Sequence, residues 1–426
     1  MISLGAQMHQ FAKKLWPINR SITGEGVRKT LEEIRKILPQ LEIKGIETGS
    51  KVFDWVVPKE WIIRDAYIIA PDGRKICNFL KNNLHIVSYS QPVDAVISFS
   101  DLKANLHYLE NQPTAIPYIT AYYGETWGFC ISYEEFKGLK DGQYRVYIDS
   151  ELIDGNLNYG ELLIQGKEDK EIFLSTYVCH PSMANNELSG PVVTAYLAKW
   201  IQSLAKRQYS YRIIFIPETI GSISYLSLNY KEMKRSTIAG FNITCVGDNR
   251  SYSLLASKYG DKLVDKVARH VLSHIYPDYH EYDWSQRGSD ERQYCAPLID
   301  LPVTSIMRTK YGEYPEYHTS LDDLENVVTP DGLEGGYIAI KLAIEAVEKN
   351  YMPIVKNYCE PQLGKRGLYP NLSKKGDLSD ELKLMMGILT YADGKNDLID
   401  MAEKNKVPVW EMYGAIKKLK LAELIN

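Results

Sequence analysis

Four short polar clusters stand where apolar, strand-like runs end, and their residue types suit metal-assisted hydrolysis. Cys179-His180-Pro181 follows the run STYV and leads through MANNELSG toward a helical segment. Pro217-Glu218-Thr219-Ile220-Gly221 follows RIIFI, and Gly247-Asp248-Asn249 follows FNITCV. Glu316-Tyr317-His318-Thr319-Ser320 precedes the last long helical stretch of the core. Ligands of open α/β sheets bind just beyond the carboxyl ends of the strands. A catalytic zinc takes roughly three His, Asp or Glu ligands and keeps one position open. A neighbouring carboxylate then removes the proton from water. His180, Glu187 and His318 are the candidate ligands, and Glu218 the candidate general base. Each alone has a plainer role. A histidine at a strand end is commonly structural, Asp248 could be a turn or cap, and Glu218 could serve the positive end of a helix. Their shared placement at strand ends gives the set its weight.

The elements that must position these residues follow from periodicity. Val27, Leu31, Ile34 and Leu38 recur at helical spacing before Pro39, so residues 1 to about 40 read as helical. From Ile43 to about Gly160, short β-branched and aromatic runs (YIIA, HIVSYS, YRVYID) alternate with turn signals such as Pro71-Asp72-Gly73. Thereafter apolar strands alternate with helices, which calls for a sheet covered on both faces. The expected fold class is α/β: a mixed, mostly parallel sheet flanked by helices, formed by residues 1–42 and 160–355. Residues 43–159 make a β-rich inserted domain. A turn-rich linker, CEPQLGKRGLYPNL, then leads into three short helical patterns, so 356–426 reads as a winged-helix module.

Composition bounds the rest. The 426 residues carry a net charge of −4, which gives no global attraction to nucleic acid or an anionic membrane. No run approaches the ~18 apolar residues of a membrane span, and the first residues lack the pattern of a signal peptide. The six cysteines are scattered singly, as suits a reducing cytoplasm. Thirty-one tyrosines, many beside Gly, Pro or another aromatic, either line a site for peptides or sugars or simply pack.

The order of the clusters resembles the zinc aminopeptidase superfamily, which includes bacterial leucine aminopeptidases and glutaminyl cyclases. The strings FDWVVPKEW, CHPSMANNELSGP, PETIGSISYL, GSDERQY and GEYPEYHTS are similar to a narrower bacterial group with an aminopeptidase-like core, an inserted domain and a C-terminal winged helix. That group is linked with surface polysaccharide biosynthesis. The resemblance implies a zinc-dependent, aminopeptidase-type hydrolase acting on a small peptide or amide. It also marks departures. Asn186 stands where the superfamily has an Asp bridging two metals, Thr219 where it has a ligand Glu, and Thr244 near a ligand Asp. The expectation is therefore one zinc on His180, Glu187 and His318, with a second ion left open. Asp248, Asp290 or Asp322 would orient a histidine from behind, with Asp322 the favoured one of the three. Asp248 or Asp290 would hold a substrate amine, and Arg292 with Arg287 would bind an acidic group or form a salt-bridged loop.

The C-terminal module suggests DNA binding as a separate function, but its prerequisites are missing. Residues 356–426 carry 12 Lys or Arg against 10 Asp or Glu, so no basic face is available for phosphates. Its third helix would present Trp410, Glu411 and Tyr413 at the end that reads bases. Packing or dimerisation is the expected role, with a homo-oligomer left open. Two other functions stay open for the core: a glycan- or peptide-binding protein that has lost turnover, and an amino-sugar deacylase using the same atoms. The aromatic strings Tyr122-Tyr123-Gly124 and Trp127 suggest an insert that covers the cleft.

Overall fold

The computed structural model describes residues 2–368 and 379–426. The linker from Tyr369 to Leu372 lies outside the described residues. Two helices open the chain, α1 (Leu4–Leu15) and α2 (Glu25–Ile37). Eight strands build the main sheet. They are β1 (Glu42–Glu47), β2 (Asn156–Ile164), β3 (Glu168–Tyr177), β4 (Tyr209–Ile216), β5 (Thr237–Asn242), β6 (Ser253–Leu255), β7 (His280–Tyr282) and β8 (Val303–Met307). Their spatial order is β1-β2-β4-β3-β5-β8-β6-β7. The centre, β4-β3-β5-β8, is parallel, while β1, β2 and β6 join antiparallel to their inner neighbours.

The central strands are apolar on both faces because helices cover both sides. β3 is buried from Glu171 to Tyr177 and β4 from Tyr211 to Ile216. Helices α3 (Ser189–Ser203), α4 (Ile220–Ser236), α5 (Leu263–Ile275) and α6 (Pro330–Lys349) supply the cover. Gly190 lets α3 start close to the sheet, since a Cβ there would sit 2.5 Å from the Ile243 carbonyl oxygen and from Thr176 Oγ1. α6 begins cleanly, with Pro330 in its first turn and the Thr329 hydroxyl accepting from Gly332 N–H.

The smaller, four-stranded antiparallel sheet pairs Glu60–Ile69 with Gln143–Ile153, flanked by Lys75–Ile76 and Val93–Ser98. It has its own buried cluster, around Trp61, Ile68, Phe129 and Val146. The chain leaves the main sheet after Glu47 and rejoins it at Asn156. Residues 44–47 and 156–159, assigned to the insert from sequence, thus pair with each other in the main sheet. The mixed burial of the outer strand, EIKGIE, hid this from a reading of apolar runs. The run HIVSYS is not a strand. It is a buried irregular segment whose backbone bonds to residues 119–128, for example Val87 N–H to the Gly128 carbonyl.

Helices α7 (Asp380–Tyr391), α8 (Leu398–Asn405) and α9 (Val409–Leu421) complete the C-terminal module. Their apolar faces join the same core as α5 and α6. Trp410 packs beside His270 and His274, and Tyr413 lies under Lys349. The start of α9 therefore faces the main sheet's helices. No helix among the described residues is long and apolar enough to cross a membrane.

Candidate active site

His180, Glu218 and His318 come together at the carboxyl ends of β3 and β4, around a cavity of about 340 Å³. Arg292 and Thr219 also line it, together with Trp55, Tyr118, Tyr122 and Tyr123 from the insert. Trp127 packs instead against the insert's own core. A larger hollow of about 780 Å³ opens at the other end of the sheet, where the chief charged pair, Arg212 with Glu171, is already matched.

The insert is fastened to the site loop. Tyr118 N–H donates to the His318 carbonyl, Ser320 N–H donates to the Ile116 carbonyl, and Ile116 N–H donates to Ser320 Oγ. His318 is held with φ +56 and Thr219 with φ +62. Such left-handed non-glycine backbone costs about 1–3 kcal/mol and persists only where its surroundings enforce it.

His180 is almost fully buried and oriented from behind. Glu187 accepts from its Nδ1–H and its backbone N–H, both at 3.0 Å. With Nδ1 turned to Glu187, Nε2 faces Glu218 Oε2 at 3.7 Å. Glu187 is neutralised by Arg20 at 3.0 Å, with both side chains fully buried. Arg20 also donates to the carbonyls of His180 and Leu15. Burial opposes the charged form of His180, but the Glu187 carboxylate outweighs it and the pKa lies above the ordinary value. Glu187 thus performs the orienting role expected of Asp322, while its other oxygen faces Arg20 as an ion pair without a hydrogen bond. Asp322 contacts no histidine. It accepts from the N–H groups of Asn185 and Asn186, in the π-type turn Ala184–Leu188, and from Tyr314 Oη–H. Burial raises its pKa to about 6.

The ligand atoms of Cys179, His180 and Glu187 lie within 4.8 Å of one another. Burial, and then Glu187, push the Cys179 thiol's pKa up, and Arg20 competes with a cation for the charge of Glu187. Two further acceptors are unpartnered. His318 Nε2 and Asn186 Oδ1 are buried without a partner among the described residues. Burial, and then His180, depress the His318 pKa to about 3, so its ring is neutral. Its ring centre lies 5.8 Å from that of His180. Both rings line the same cavity.

The departures from the two-metal pattern are tied into hydrogen-bond networks. Asn186 Nδ2 donates to Tyr177 Oη at 2.6 Å, and Tyr177 Oη meets Thr244 Oγ1 at 2.5 Å. Arg292 donates to Thr219 Oγ1 at 2.6 Å. Glu218 is held by Ser289 Oγ–H on Oε1, and burial raises its pKa. Asp290, wholly buried, accepts from Thr219 N–H and Ser222 Oγ–H. Burial, and then Glu218, raise its pKa to about 8. Asp248 is spent on structure. It accepts from Asn185, Arg250 N–H and both donors of Thr309, so it does not reach the cavity. Arg287 lies over Trp284 on the surface. Arg20, Tyr177 and Ser289 were not expected from sequence, and only the apolar company of Tyr177 on β3 hinted at its burial.

Comparisons with known proteins agree with this architecture. A family model described as a domain of unknown function, DUF4910, matches residues 9–350, and a winged helix-turn-helix model matches 351–426. A protein of Clostridium acetobutylicum, named as a candidate polysaccharide biosynthesis protein with aminopeptidase-like domain, is 44% identical over 99% of this chain and 96% of its own length. A crystal structure of a candidate peptidase from the same organism superposes with TM-score 0.92 at 43% identity, covering 99% and 96% of the two chains. A zinc aminopeptidase from Bacillus subtilis shares the fold at TM-score 0.58 and 13% identity, over 80% and 95% of the chains. The chain therefore belongs to the DUF4910 family, with an aminopeptidase-like α/β core and a C-terminal winged helix.

Proposed function

We propose that the cavity is the active site of a hydrolase that cleaves a small amide or peptide, using one zinc ion and Glu218 as general base. His180, His318 and the Asn186 side-chain oxygen would hold the ion. The observation that carries this reading is the cavity that His180, His318 and Glu218 line together, with His318 Nε2 buried and unpartnered and His180 Nδ1 held by Glu187; Asn186 Oδ1 is likewise buried without a partner. A zinc ion bound there would lower the pKa of water toward neutrality and polarise the scissile carbonyl. The chain's own residues supply the rest. Ser289 fixes one oxygen of Glu218 and leaves the other directed toward His180. The raised pKa of Glu218 suits a base that takes a proton and returns it to the leaving nitrogen. The aromatic residues that the insert adds to the lining narrow the cavity and limit water.

The fold shared with zinc aminopeptidases and the name of the Clostridium relative support a peptidase-type reaction. That name also favours an amino-sugar amide within polysaccharide metabolism as the substrate's setting. Asn186, Thr219 and Thr244 favour a second reading, in which the core binds a glycan or peptide without turnover. A screen of small peptides and N-acyl amino sugars on zinc-supplied protein separates them. The hydrolase reading expects turnover that Glu218→Gln lowers by about 10²–10⁴ while the variant keeps its zinc. Ligand binding with no turnover, unchanged in Glu218→Gln, would establish the second reading.

A further inference from the structure

The cavity has one feature that an amine-binding peptidase site would not want: a guanidinium in its lining with unspent donors. Arg292 lines the cavity and uses Nη2 on Thr219 Oγ1. Its Nε is buried with no partner, and it forms no ion pair among the described residues. Glu218 and Asp290 stand near enough for its charge to oppose the rise in pKa that burial gives them, though each is held in part by other donors. Glu218 Oε1 is held by Ser289, and Asp290 Oδ1 by Thr219 N–H and Ser222. Asp248, the other residue expected to hold an ammonium, is spent on Asn185 and Thr309 and does not line the cavity.

From this arrangement we infer that Arg292 is a docking point for a carboxylate on the substrate. The cavity would then take an amide that carries an acidic group, such as an N-acylamino acid, in preference to one with a free amino end. Arg presents its donors as a planar fork that matches a carboxylate with two parallel bonds. Nη1 makes no hydrogen bond among the described residues and is free for the ligand, and Trp55, Tyr122 and Tyr123 in the cavity lining face its apolar part. At about 340 Å³ the cavity suits a ligand of a single acylated residue rather than a long chain. This rests on the cavity being the substrate site, but it does not require turnover.

The test is binding to the full chain, by calorimetry or ligand-observed NMR, with and without added zinc. The probes are N-acetyl-leucine, its neutral amide N-acetyl-leucinamide, and leucinamide with its free amine. The expected order places the carboxylate first, by roughly 10- to 100-fold over the neutral amide, the size of a charged hydrogen bond. Arg292→Gln should erase that preference, and Arg292→Lys should keep part of it, which separates lost charge from a misfolded site. Strongest binding by leucinamide, a preference that survives in Arg292→Gln, or no binding of the carboxylate would each overturn the inference. An Arg292-dependent preference without hydrolysis of any amide would uphold it while removing the hydrolase reading.

Discussion

Replacing Arg20 with Met probes the support beneath the site. Arg20 and Glu187 pair at 3.0 Å with both side chains fully buried, and the guanidinium also serves the carbonyls of His180 and Leu15. Removing one partner of a buried pair costs about 3–5 kcal/mol because the other charge is left uncompensated. The two carbonyls would lose their donors as well, at about 1–3 kcal/mol each where no water enters. Against a total stability of about 5–15 kcal/mol, Arg20→Met should leave the chain marginal. Glu187→Gln in the same chain removes the stranded charge, so Arg20→Met/Glu187→Gln should be more stable than Arg20→Met alone by about 1–3 kcal/mol, the usual size of a coupling within one network. Urea unfolding of the two singles and the double, read by tryptophan fluorescence, measures that coupling. A double variant no more stable than Arg20→Met would refute the claim that Glu187 is held by Arg20's charge.

Three further outcomes follow from the same contacts. Asn186→Asp restores a carboxylate among the proposed donors and should tighten zinc binding by roughly tenfold or more, since even outer groups around a metal change affinity by 10–100-fold; unchanged affinity in chelator competition would remove Asn186 from the set. Asp290 keeps its proton until about pH 8 when folded, against 3.8 as its ordinary value. Its contribution to stability is therefore full below about pH 3.8 and lost as pH rises through about 8. Asp290→Asn should gain on wild type in thermal midpoint across that window, and parallel curves would contradict this. In the C-terminal module, His270 pairs with Glu403 and accepts from Val409 N–H through Nε2. His270→Ala should loosen α9, raising hydrogen exchange there by roughly 10-fold or more for a lost buried acceptor, and exchange confined to α5 would count against that link.

Much of the fold was legible because β3, β4, β5 and β8 are apolar enough to announce a covered sheet, and because each is followed by a polar cluster at its carboxyl end. The short strands β6 and β7 were not, since three residues carry no periodicity. At the site, His180, Glu218 and His318 were visible by type and placement. Glu187 was read as a ligand because a carboxylate seven residues after a histidine looks like one. Only the fold brings Arg20, 167 residues earlier in the chain, against it. Asp322 and Asp248 were misplaced for a similar reason. Their partners are backbone N–H groups of a π-type turn and of Thr309, which no spacing rule reveals.

Zinc stoichiometry tests the central claim most directly. Wild type, His180→Ala, His318→Ala, Glu187→Gln and Glu218→Gln would be equilibrated with zinc and dialysed, and the bound metal counted per chain. The account predicts one ion in wild type and in Glu218→Gln, weaker retention in Glu187→Gln, and none in either histidine variant. An ion kept in His318→Ala, or one lost only in Glu187→Gln, would contradict it and move the metal behind His180.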